Sequence, residues 1–336
     1  MKTVKAYLLF LLVPILFLSS CKNLKNQLVT DPLPSWNDTK IKKSIISFIA
    51  DSLKNVAYPM RIAVFDMDGT ISCETPLWPE MYVAVAGLNK QSEKNPSLMQ
   101  YPEYKFAQKL AINPGDTSVL NNWGAYVDSM VWKAYAGVDH QAYINTAANY
   151  MYNERNKNKQ YNIRLSNMFY QPMLELIRYL KDNHFEVYIV SGSVQGVVWS
   201  ICPAVLSLNR DHLIGTEQIL KPVYNPKNHK TSFVIQKGIF TPKDDKDGKA
   251  ENIYSRLGLT PIFAFGNTTG DFGMFHLTST NPFPHAVYML NHDDDKREYK
   301  YPPYHGAVDP GWQDSLKVNN WQQVNMSTEF KTVWMK

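Results

Sequence analysis

The sequence predicts an α/β fold: a Rossmann-like parallel sheet carrying an inserted, mainly helical segment. Three observations lead there. Short apolar runs at 61–65 ("RIAVF"), 185–190 ("FEVYIV"), 260–266 ("TPIFAFG") and 285–290 ("HAVYML") have the length and texture of strands buried on both faces. Segments with helical spacing separate the later runs, as βαβ units require. Between the first two runs, residues 74–168 are rich in Tyr and Trp and contain no apolar strand run.

The elements are taken in chain order. Lys2 and Lys5 precede an apolar run from Ala6 to Leu18, too short to cross a bilayer comfortably and suited to a signal-peptide core. "LSSC", ending at Cys21, resembles a lipobox, in which cleavage leaves Cys21 lipidated. Residues 1–20 are therefore expected to be a lipoprotein signal peptide and 21–40 a polar tether. The mature domain would be exported and anchored by lipid to a bacterial membrane, facing the periplasm. Apolar residues at 41, 45, 46, 48, 49, 53 and 56 predict a helix ahead of the first strand. Within 74–168, the spacing at 121–135 and 141–155 is helical, and its aromatics read mainly as packing. Pro172 suits the first turn of a helix that presents Met173, Leu174, Leu176, Ile177 and Leu180. A weaker strand is read at 211–220, a hairpin from Thr231, and a helix in "GKAENIYSRLG" that stops near Gly258. The charge run "HDDDKRE", 292–298, reads as a solvated turn. The expected division is an α/β core at 41–73 and 169–300, a helical cap at 74–168, and a C-terminal extension at 301–336 packed on the core.

The chain has 336 residues, 44% hydrophobic and 19% charged, with net charge +5 spread along its length. Such a balance favours solubility and anionic ligands, and without a basic block it argues against nucleic acid as a partner. Of three cysteines, Cys73 and Cys202 lie beyond the leader; a disulfide and two buried thiols both fit the sequence.

In open parallel sheets, ligands bind beyond the carboxyl ends of the strands. Asp66 and Asp68 follow the first strand, Ser191 and Gly192 the second, and Asn267 and Asp271 the run at 260–266, with Lys249 opening the helix before it. Neighbouring carboxylates repel and call for a cation, and an all-oxygen set of Asp and Asn suits Mg²⁺. Ser191, the backbone near Gly192 and Lys249 would hold anionic oxygens. One carboxylate can attack phosphorus, and a second can protonate the leaving oxygen and then activate water. Gly69 permits the turn and Thr70 can anchor it.

"DMDGT", "VSGS", "GKAEN" and "FGNTTGDFGMF" resemble, in order and spacing, the four motifs of the haloacid dehalogenase superfamily of phosphotransferases. The position of residues 74–168 and the stretch "AFGNTTGDFGMF" are similar to the phosphoserine-phosphatase-like branch, with its helical cap between motifs one and two. The resemblance implies a Mg²⁺-dependent phosphomonoesterase for small phosphorylated metabolites. It makes Asp66 the nucleophile and a metal ligand, and Asp68 the acid/base and a ligand through its carbonyl. Ser191 would bind the phosphoryl group, Lys249 would steady Asp66, and Asp271 would belong to the metal site. Asp68 argues against halide displacement, whose enzymes lack an acid there. Glu74, at the start of the cap, would be a substrate contact, although its spacing from Asp66 differs by one residue. The fourth motif departs from its usual Gly-Asp: Asn267 offers an oxygen without charge, so weaker Mg²⁺ binding is expected. Phosphoserine and phosphorylcholine are alternative dedicated substrates. A non-catalytic lipoprotein that captures phosphorylated ligands is the alternative of another class.

Overall fold

The architecture, taken from a computed structural model, is described for residues 31–115, 126–157, 160–301 and 311–335. The expected leader and residues 21–30 of the tether, Cys21 included, lie outside the described residues; in the rest of that stretch Leu33 and Trp36 are buried in the core. Six strands form one parallel sheet in the spatial order β3-β2-β1-β6-β7-β8: β1 (Ile62–Phe65), β2 (Glu186–Val194), β3 (Leu213–Thr216), β6 (Phe263–Gly266), β7 (Ala286–Asn291) and β8 (Gln322–Asn325). After β1 the chain builds outward one way through β2 and β3, then returns to build the other way from β6. The order thus reverses beside β1, the place where open sheets leave a crevice.

Both sheet faces are buried, which is why the strands read as unbroken apolar runs. Ala63, Phe65, Ile189, Phe263 and Phe265 face one core, with Ile45 and Ile49 of α1 (Lys40–Asn55) and Leu176 and Leu180 of Gln171–Asp182. Ile62, Val64, Val190, Ala264 and Met289 face the other, against Ile253 of Asp247–Leu257 and Met274 and Phe275 of Phe272–Ser279. β2 runs past the expected end of its apolar stretch, through Ser191 and Gly192 to Val194.

Between β1 and the helix Gln171–Asp182, the described residues form α2 (Pro79–Lys94), α3 (Pro102–Ile112), α4 (Val127–Tyr135) and α5 (His140–Asn153). Their buried residues, among them Met81, Leu88, Met130 and Tyr143, join the same core as the sheet's first face. The stretch read as one weaker strand at 211–220 divides: β3 enters the sheet, while β4 (Gln218–Asn225) pairs antiparallel with β5 (Lys230–Ile239). That hairpin leaves the sheet and joins the helical insertion, where Ile235 exchanges backbone hydrogen bonds with Gly137 and Val138 at 2.8 and 3.0 Å. β8 adds the sheet's last strand, and the buried Val324, Met326 and Phe330 anchor the C-terminal segment. Pro32–Lys336 forms one compact unit. Among the described residues, no helix is long and apolar enough to cross a membrane.

The charge run at 292–298 is not a solvated turn. His292, Asp294 and Glu298 are buried, and the segment folds inward beneath the loop after β1. Cys73 and Cys202 are both buried free thiols, so no disulfide joins them.

Candidate active site

β1 lies between β2 and β6, so the carboxyl ends of these three strands meet. Asp66 comes directly after β1 and still pairs with the ladder, its N–H donating to the Phe265 carbonyl at 3.0 Å. The turn after it closes on itself: Ile71 and Ser72 donate to the Met67 carbonyl, and Gly69 donates to Ser72. Gly69 has φ +80°, and a Cβ there would stand 2.0 Å from Asn267 Nδ2. Only glycine suits that place.

Lys249, in the first turn of Asp247–Leu257, sends its ammonium into the floor of the crevice. Its three protons have three acceptors: Asp66 Oδ1 at 2.5 Å, Asp271 Oδ1 at 2.8 Å and the Val190 carbonyl at 2.8 Å. Burial opposes its charge, but Asp271 and Asp66 outweigh burial and hold the ammonium above its ordinary pKa. Burial likewise pushes the Asp66 carboxyl up; Lys249 opposes this and Asp271 adds to it. The Lys249 ammonium thus sits between two buried carboxylates and offsets their charge. Thr70 Oγ1 stands 3.0 Å from both Asp66 Oδ2 and Asn267 Oδ1.

Asp68 sits in a different environment. Its Oδ2 accepts from Ser193 Oγ at 2.6 Å, with Ser191 Oγ at 3.4 Å. Its Oδ1 is enclosed and has no protein partner. Enclosure, then the Asp66 charge, pushes its carboxyl well above the usual range, with Ser193 opposing. Two carboxyl groups two residues apart thus differ: one is ion-paired, the other disposed to hold a proton.

The remaining expected residues surround this pair. Gly192 lines the cavity and Ser191 is fully buried beneath it, accepting from the Ser193 N–H at 3.1 Å. Both oxygens of Asp271 are engaged by the protein: Oδ1 by Lys249, and Oδ2 by the N–H groups of Asn267 and Thr268 at 2.8 and 3.0 Å. It therefore orients Lys249 and the loop. Asn267 faces Thr70 through Oδ1 and gives Nδ2 to Tyr301 Oη at 2.5 Å. Glu74 lines the cavity and accepts from Tyr299 and Tyr301 hydroxyls at 2.6 and 2.8 Å.

Several site residues escape sequence reasoning. Ser193 had a readable signal, because it shares a strand face with Ser191. Glu80 of α2 did not: it is buried and accepts from the Val194 N–H at 2.6 Å, tying the insertion to the end of β2. Nor did His292, whose two ring nitrogens stand 2.9 Å from Glu298 Oε2 and 2.7 Å from the Gly69 carbonyl. Both neighbours are acceptors, so the ring must carry both protons.

The cavity over the two aspartates has a volume of about 300 Å³, with Trp78, Glu80, Lys243 and Lys246 on its far walls. It has room for a small molecule. Among the described residues no three His, Cys, Asp or Glu side chains form a metal cluster. The side-chain oxygens at hand are those of Asp66 and Asp68 and Asn267 Oδ1. This all-oxygen set, with the orphaned Asp68 Oδ1, fits a hard cation that keeps some of its waters.

The sequence model of the haloacid dehalogenase-like hydrolases matches residues 63–276. No curated protein matched the chain. Among solved structures, a conserved protein of unknown function from Anaerococcus prevotii is similar at 15% identity. It has a TM-score of 0.49 over 79% of this chain and 89% of its own. A HAD family hydrolase from Salmonella enterica serovar Typhi is similar at 14% identity and TM-score 0.42, covering 86% and 78%. A phosphoserine phosphohydrolase-like protein from Francisella tularensis gives 11% and 0.41, covering 80% and 97%.

Proposed function

Because the chain belongs to the haloacid dehalogenase-like hydrolase family, we propose that it hydrolyses small phosphate monoesters through an aspartyl-phosphate on Asp66. The observation that carries this reading is the contrast between the two aspartates. Asp66 is paired with the Lys249 ammonium, 2.5 Å away, while Asp68 is enclosed against Ser193 and its carboxyl is pushed up. A nucleophile must be deprotonated and a general acid must hold its proton.

In the first step an Asp66 oxygen attacks phosphorus, the ester P–O bond breaks, and Asp68 gives its proton to the departing alcohol oxygen. In the second, Asp68 takes a proton from water, the water oxygen attacks phosphorus, and the bond to Asp66 breaks. Lys249 offsets charge on Asp66 throughout. Gly192 and Ser193, at the cavity wall, face the phosphoryl oxygens. Asp66, the Asp68 carbonyl and Asn267 would hold Mg²⁺, which when bound supplies charge neutralisation for the phosphoryl group. The helical insertion limits access, in keeping with a small substrate. Residues 1–21 carry the export reading, in which the enzyme is held at a membrane by lipid on Cys21.

The test is p-nitrophenyl phosphate hydrolysis by the full chain, with Mg²⁺ and with chelator. Turnover should require the metal, and Asp66→Asn should reduce it by about a thousandfold or more. Asn267 favours the competing reading, a binding protein without turnover. A folded wild type that binds phosphate esters but releases no p-nitrophenol across pH would establish that reading instead.

A further inference from the structure

We infer that Glu74 acts through Tyr301 on Asn267, fixing the orientation of its amide and lending it the negative charge that a Gly-Asp pair would carry directly. This rests on the metal-dependent function proposed for the site and gives Glu74 a positioning role within it.

Donors and acceptors fix the direction of each bond. A carboxylate has no proton to give. Glu74 Oε1 therefore accepts from both phenols, Tyr299 at 2.6 Å and Tyr301 at 2.8 Å. Each phenol has one proton, and each spends it there. Tyr301 Oη then faces the Asn267 amide, 2.5 Å away, with lone pairs. That neighbour must be the NH₂ group, because a carbonyl oxygen at that distance would face the phenol with no proton between them. The amide is thus locked with Oδ1 turned toward Thr70, whose hydroxyl also reaches Asp66.

The same chain carries charge. Glu74 draws on the phenol proton, which makes Oη a stronger acceptor; Oη draws on the amide N–H, which leaves Oδ1 more negative. Successive hydrogen bonds polarise one another in this way. The packing leaves no slack: a Cβ on Gly69 would meet Asn267 Nδ2 at 2.0 Å and Glu74 Cδ at 2.8 Å. Tyr299 is itself fixed by stacking on His292, with ring centroids 4.4 Å apart and planes at 20°. The departure of the fourth motif from Gly-Asp is thereby offset from a residue distant in sequence.

Calorimetric titration of the full chain with Mg²⁺ tests this independently of turnover. Glu74→Gln and Tyr301→Phe should each weaken binding about tenfold or more, the usual effect of losing a partner behind a metal ligand. The sharper arm is a double-mutant cycle. In the wild type, an aspartate at 267 would share one Tyr301 proton with Glu74, so Asn267→Asp should tighten Mg²⁺ only slightly. In the Glu74→Gln background the same substitution should restore most of the lost affinity. An equal gain in both backgrounds, or single variants within twofold of the wild type, overturns the inference alone. A wild type that binds no Mg²⁺ overturns the metal-dependent reading and this inference together. If Glu74 instead touches substrate, Glu74→Gln will raise KM and leave Mg²⁺ affinity unchanged, which also overturns it.

Discussion

At the scale of single residues, the site depends on the absence of a side chain as much as on those present. Gly69 occupies a left-handed turn, φ +80°, and its missing Cβ is the space the Asn267 amide fills. Gly69→Ala should therefore lose about 1–3 kcal/mol from backbone strain and displace the amide as well. Urea unfolding should show the first effect and Mg²⁺ titration the second. A variant with wild-type stability and affinity would mean that the loop yields without cost. The motif at 66–70 was legible because a β-strand, two acids, a glycine and a threonine are adjacent in the chain. The partners that give those acids different environments come from elsewhere: Lys249 and Asp271 on later elements, Ser193 at the end of β2. Lys249 and Asp271 were legible as motifs, but that Asp271 spends both oxygens on protein donors depends on how its loop turns. No residue spacing records that.

At the scale of elements, the sequence marked the strands well where both faces are buried, since a continuous apolar run is then unavoidable. It misled where charge is buried. "HDDDKRE" reads as solvated, yet His292 and Glu298 pair beneath the loop after β1, and Tyr170 Oη also donates to Glu298. A charged run and a buried polar network have the same composition; only their partners differ. This network makes a testable demand. Burial works against a proton on His292, but Glu298 outweighs it and raises the ring above its ordinary 6.5. A raised folded-state pKa means that the pair's contribution is complete below about pH 6.5 and is lost as pH rises through the folded value. Glu298→Gln keeps the shape and removes the charge. It should cost about 3 kcal/mol near pH 6 and flatten the decline of thermal midpoint between about pH 6 and 9. If the two proteins show parallel midpoint curves, His292 is not held as an imidazolium.

At the scale of the whole molecule, the sheet is closed by the segment that the sequence described least. Residues 301–336 are aromatic and polar, with no strong period, and only packing on the core could be expected of them. In the fold, β8 completes the parallel sheet, and the residues after it cross back to the chain's early segment. Trp36 meets Phe330 edge to face at 5.0 Å, Lys331 N–H donates to the Ser35 carbonyl, and Gln171 N–H to that of Val333. Short strands of mixed polarity such as "QQVN" are specified by the neighbour they pair with, not by their own pattern. Their energetic weight is nonetheless large. Val324, Met326 and Phe330 are each fully buried, and at about 1.5–3 kcal/mol apiece they contribute an amount comparable with the net stability of a typical domain. Ending the chain after Asn320 should therefore do more than fray an edge: Trp36 and the outer side of β7 lose their cover together. The shortened protein should show no cooperative thermal transition by circular dichroism and should elute as aggregate. A sharp transition within a few degrees of the wild type would show that the sheet is complete without β8.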